Sequence, residues 1–280
     1  MIAPVRLWLK RHDLMIYFLL AYALSWAIEI PIALAEHGVI PVWMPRPAHY
    51  LASFGPLVAA VVTTGLANGW EGINGLWRAL SRWRVAWRYG FVAVGLPVLV
   101  FGLLLLGERI WEGTWPDLAL LGQLDDLPDL GILPALGVWL LTFGLGEETG
   151  WRGFALPRLQ ATRSAFSASL LLGALWAAWH LPALFYRETF MALGLLVIPM
   201  LLTIATAGAI TFTWLYNSTQ GSLLMVILFH GLFDFFSASA VGGGSAGVVL
   251  TAMMVFLAVR AYRVHGRASL AATGKVIVAC

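Results

Sequence analysis

Charge is what this chain has least of. Asp, Glu, Lys and Arg make up 11% of its 280 residues, where ordinary soluble domains carry about a quarter. A chain so poor in charge and 60% hydrophobic cannot cover the surface of a soluble globule. Cysteine is nearly absent as well. Cys280 stands alone, which excludes an intrachain disulfide and leaves the redox compartment open. With no residue after it, Cys280 does not read as a prenylation box, which needs three more. Low-complexity linkers, internal repeats and polar stretches long enough to fold alone are missing too. The net charge is +3, but the basic residues lie in short clusters beside apolar runs. That pattern orients a membrane protein and does not build a groove for nucleic acid, so no nucleic-acid partner is expected.

What the chain has instead is apolar length. A helix needs about 20 mainly apolar residues to cross the hydrocarbon core. Eight stretches meet or approach this: 14–35, 48–68, 89–107, 131–156, 166–185, 190–215, 222–240 and 244–262. The first is too long for a cleaved leader and lacks a small-residue cleavage site. The fold expected is all-α, a polytopic bundle of about eight transmembrane helices. Threading eight spans from a cytoplasmic N-terminus puts fourteen Lys and Arg inside and three outside: Arg46, Arg109 and Arg187. Both termini are therefore expected in the cytoplasm. The fourteen tryptophans suit the membrane–water interface. Three regions follow: helices one to three with an acidic outer loop (1–130), a core of four helices (131–240), and the last span with a basic tail (241–280). The Gly242-Gly243-Gly244 run reads as the turn before that last span. Gly65 with Gly69, and Gly146 with Gly150, read as packing notches.

Ionisable groups within apolar spans are costly, so each is a functional candidate. Glu147, Glu148 and Arg152 lie late in the fourth span, His180 in the fifth, and His230 with Asp234 in the seventh. Glu148 and Arg152 are four apart and share a helical face, as do His230 and Asp234. At about 1.5 Å per residue from Arg158 and Arg163, Glu147 lies about 16 Å deep and His180 about 25 Å. Glu29, in the first span, reads as structural, and His12, His37, His49 and His265 read as solvated. A carboxylate beside an imidazole can take a proton from water and release a nucleophile for a carbonyl. A second imidazole can steady the resulting oxyanion. Two His and a carboxylate are equally the ligand set of a catalytic zinc, although the H-E-x-x-H signature is absent.

Three motifs carry a family resemblance. Glu147-Glu148-Thr149-Gly150-Trp151-Arg152 reads as E-E-x-x-x-R, Trp176 to His180 as aromatic-x-x-x-H, and His230 to Asp234 as H-x-x-x-N/D. In this order on separate helices, they resemble the CPBP family of type II CAAX prenyl endopeptidases and bacteriocin-processing or immunity proteins. The resemblance covers roughly 135–240. It implies an intramembrane endopeptidase acting on a peptide or membrane-anchored substrate, prenylated or not, from within the lipid bilayer. Glu147 would activate water with His180, Glu148 would pair with Arg152, and His230 and Asp234 would form the oxyanion side. Asp234 departs from the usual Asn, and an ionised carboxylate cannot donate to an oxyanion. Trp176 replaces the commoner Phe, which would reshape the cavity. The favoured route needs no cofactor; zinc held by Glu147, His180 and His230 is the alternative. The cavity is expected to open toward the cytoplasm or laterally to lipid, in a prokaryotic plasma membrane. A proton- or cation-coupled transporter and a non-catalytic immunity or scaffold protein are the other classes considered. No repeated halves support the first, and the intact polar set argues against the second.

Overall fold

The computed structural model describes residues 3–277, so Cys280 lies outside the described part. Among the described residues there is no strand. The principal helices are α1 (Ala3–Glu36), α2 (Gly55–Leu80), α3 (Trp87–Glu112), α4 (residues 132–162), α5 (Ala165–Trp179), α6 (Val197–Ser218), α7 (Leu223–Ser237) and α8 (Ser245–Ser269). Together they form a polytopic membrane helix bundle. Among the described residues six helical stretches, those built around α1, α2, α3, α5, α6 and α8, are long and apolar enough to cross a bilayer.

The inside-out distribution of side chains explains the packing. Along α1, Tyr17, Ala21, Ser25 and Ile32 are buried, whereas Leu19, Leu24 and Ile30 face outward. Small residues let helices approach, and large apolar ones face lipid. The 34 residues of α1 extend about 50 Å, so its basic first turns reach past a core about 30 Å thick. Helix α7 has only 15 residues, about 22 Å, but its side chains are buried on nearly all faces, screened from lipid by its neighbours.

Helix α4 is central. Gly144 approaches the Ile227 carbonyl on α7, Gly146 that of Ser53, and Gly150 both Pro56 and Tyr17. A Cβ at Gly150 would sit 2.5 Å from the Pro56 Cβ and the Tyr17 hydroxyl, so the expected notch at 146 and 150 is real. The other pair behaves differently. Gly65 has only Ile73 within 4.0 Å, and Gly69, at φ +66°, is where α2 kinks. Arg6 Nε donates to the Ala67 carbonyl just before that kink.

Polar groups collect at the two ends of the bundle. At one end Arg158 pairs with Asp13 at 2.6 Å, and Gln160 and Asn217 exchange amide hydrogen bonds. The segment after α8 docks there, with Val276 N donating to Asn217 and Lys275 to the Gln160 carbonyl. At the other end Arg46 meets Glu36 and Asp126, and Arg187 meets Asp125. Two polar rims thus bound the bundle. One term of that count falls away: Arg152 is fully buried and belongs to no loop, leaving thirteen basic residues against three (14 − 1).

Candidate active site

Helix α4 changes winding around its acidic pair. Leu140–Glu147 and Trp151–Ala155 are π-helical, with the single α turn Glu148–Gly150 between them. Such turns rotate successive side chains out of the α register and recur at functional sites. Adjacent positions here point to different partners. Glu147 accepts a 2.6 Å hydrogen bond from the Trp176 indole on α5. Glu148 Oε1 lies 2.8 Å from Arg152 Nη1 and 2.8 Å from His230 Nδ1 on α7.

The Glu148–Arg152 pair is wholly buried. Removing two charges from water costs several kcal/mol per ion unless further partners compensate. Arg152 Nε and Nη2 have no hydrogen bond, but the guanidinium lies over the rings of Phe212 at 4.6 Å and Trp176 at 5.0 Å. Cation–π attraction is strongest in such desolvated surroundings. His230 packs against the same two rings, at 5.0 Å from Phe212 and 5.4 Å from Trp176. Its Nε2 faces Asp234 Oδ2 at 3.2 Å, one turn along α7. Both ring nitrogens are therefore turned to carboxylates. His180, at the C-cap of α5, has Nδ1 2.7 Å from the Trp176 carbonyl. That contact fixes the ring with Nδ1 as donor and leaves Nε2 as the acceptor.

Glu147, His180, His230 and Asp234 line one cavity of about 310 Å³, a size suited to a small ligand or a few peptide residues. Apolar walls come from Trp139, Phe143, Phe212 and Phe233. All six chemically singled-out residues are thus gathered in one place, four on the cavity wall and Glu148 and Arg152 behind it. Glu147 and His180 are joined through Trp176, not directly: its side chain donates to one and its carbonyl meets the other.

Other polar neighbours surround these residues. Glu29, read from the sequence as structural, lines the cavity, buried, with one oxygen accepting from Tyr186 and the other without a partner among the described residues. His49 is buried, not solvated: Nδ1 meets the Arg46 carbonyl at 2.8 Å and Nε2 meets Arg187 at 3.0 Å. Arg187 and Asp125 line the same cavity. The only cue to any of them was the rule that an acid within a span is suspect, which flagged Glu29. The cavity therefore extends toward the rim that carries Arg46, Asp125 and Arg187, the rim the charge count places outside. On that count the cavity reaches toward the outer rim, whereas the sequence reading expected a mouth toward the cytoplasm or laterally to lipid. The acidic segment after α3 explains the difference: Leu121 and Leu124 are buried, and Tyr50 bonds the Asp125 carbonyl, which draws Asp125 over the cavity.

Among the described residues, no three His, Cys, Asp or Glu side chains converge on a point where a metal ion would sit. Both nitrogens of His230 face carboxylate oxygens in this arrangement.

Fold and site together define a class: a polytopic membrane protein with a carboxylate–imidazole centre enclosed among its helices. Residues 129–236 match the family described as Type II CAAX prenyl endopeptidase Rce1-like, and this span holds all three motifs. A CAAX prenyl protease 2 from Methanococcus maripaludis is 35% identical, over 34% of this chain and 36% of the relative. The chain thus spans about a third of the length of the curated relative it matches.

Proposed function

We propose that the protein is an intramembrane endopeptidase that hydrolyses a peptide bond in a membrane-anchored substrate. One observation carries the reading: Glu147 and His180 share one cavity and are held in place by a single tryptophan between them. A water held by Glu147 and the free Nε2 of His180 attacks the scissile carbonyl, and its proton passes to Glu147. The Nε2–H of His230 leaves its 3.2 Å contact with Asp234 for the oxyanion as that charge develops. Asp234 is assigned the orienting of His230, a role that does not require it to donate. Glu148 and Arg152 hold His230 from the other side. As the tetrahedral intermediate collapses, Glu147 returns the proton to the leaving amine.

The route runs without metal. The similarity to a CAAX prenyl protease 2 supports a prenylated peptide as substrate, and the archaeal source of that relative supports a prokaryotic plasma membrane. The test is turnover of quenched fluorescent peptides, farnesylated and unmodified, by purified protein in detergent. Glu147→Gln should lower kcat by about 100-fold or more, the usual share of general acid–base catalysis. Turnover by the unsubstituted protein should survive a strong chelator. Cleavage that persists in Glu147→Gln would reject the assignment, and loss with chelator would reject the metal-free route.

A further inference from the structure

Arg187 has no part in the chemistry above, yet its guanidinium lines the same cavity with its side chain only 17% exposed. Two of its nitrogens are engaged, Nη1 with His49 Nε2 and Nη2 with Asp125 Oδ2, both at 3.0 Å. Nε is buried without a partner. His49 is a neutral acceptor here, because its Nδ1 already faces the Arg46 carbonyl. Asp125 is the only carboxylate paired with Arg187 among the described residues, and it is 58% exposed, so an incoming anion displaces it at little cost.

We infer that Arg187 is the receptor for the substrate's free C-terminal carboxylate, an inference that rests on the endopeptidase reading. A planar guanidinium with free donors matches a carboxylate. Glu29 and Asp125 on the same walls disfavour a more highly charged anion. The reach fits as well. The 3₁₀ segment Leu181–Phe185 and then Tyr186 separate His180 from Arg187, and the 3₁₀ part rises about 10 Å at 2.0 Å per residue. Three extended peptide residues cover about the same distance. A peptide whose scissile carbonyl sits between Glu147 and His180 therefore places a carboxylate three residues downstream at Arg187. The cavity measures the substrate from its end.

The experiment is binding, by fluorescence anisotropy, to the Glu147→Gln protein in detergent. The probe is a fluorescein-labelled peptide ending in farnesyl-Cys-Val-Ile-Met, made as the free acid and as the C-terminal amide. The free acid should bind at least tenfold more tightly. Adding Arg187→Gln should abolish that preference while leaving amide affinity unchanged, which also certifies the fold; Arg187→Lys should retain part of it. Equal affinity for acid and amide, or a preference that survives Arg187→Gln, overturns the inference. A clear preference in a protein that turns over neither peptide would uphold Arg187 and overturn the peptidase reading instead.

Discussion

At the scale of the residue, helical spacing made two pairs legible. Glu148 with Arg152, and His230 with Asp234, are each four apart, and each is in contact. Contacts across helices were not legible. Nothing in the spacing places Trp176, 29 positions away, against Glu147, or His230 against Glu148. Reading Trp176 as a mere change in cavity shape missed its N–H. Phe fills much of the same volume but donates nothing. Trp176→Phe should therefore lower kcat about tenfold, the worth of one hydrogen bond of about 1.4 kcal/mol lost to a catalytic carboxylate. KM should barely move, because the apolar wall remains. The pH–kcat profile should shift with it, since the donor acts on the protonation of Glu147. An unchanged profile and rate would reduce Trp176 to packing.

Apolar length located the principal helices, six of which, among the described residues, are long and apolar enough to cross a bilayer. The π turns in α4 left no trace in the pattern, because one extra residue per turn changes register without changing composition. Glycine spacing was a mixed guide: it found the notch on α4 but mistook a kink in α2 for another. Paired substitutions make the distinction measurable. Gly150→Ala pushes a methyl to 2.5 Å from Pro56 and Tyr17, contacts with little room to yield. It should lower the thermal unfolding midpoint in detergent and abolish turnover, at a cost of about 1–3 kcal/mol or more. Gly65→Ala meets nothing closer than 4.0 Å and should be neutral or slightly stabilising, as helical alanine usually is. Equal effects from both would show that α4 is not seated as described.

For the whole molecule, the count of basic residues loses Arg152, which lies in the core, and becomes thirteen against three on the eight-span threading. The side on which the cavity opens was not legible, because it depends on how the segment after α3 folds back. The charge count, which puts the termini in the cytoplasm, implies that the rim bearing Arg187 faces outward. Single cysteines at Glu112 and Arg84, in a Cys280→Ser background, test this with an impermeant maleimide on intact cells. Labelling at Glu112 but not at Arg84 is the expected result, and the reverse would turn the bundle over.

The docked segment beyond α8 has a consequence of its own. Val276 and Lys275 complete a knot of amides whose other members, Gln160 and Asn217, are fully buried between α4 and α6. Residues that look like a trailing basic tail therefore work as a plug. Without them two carboxamides would face each other across an open seam, where water could creep along the helix that carries the acidic pair.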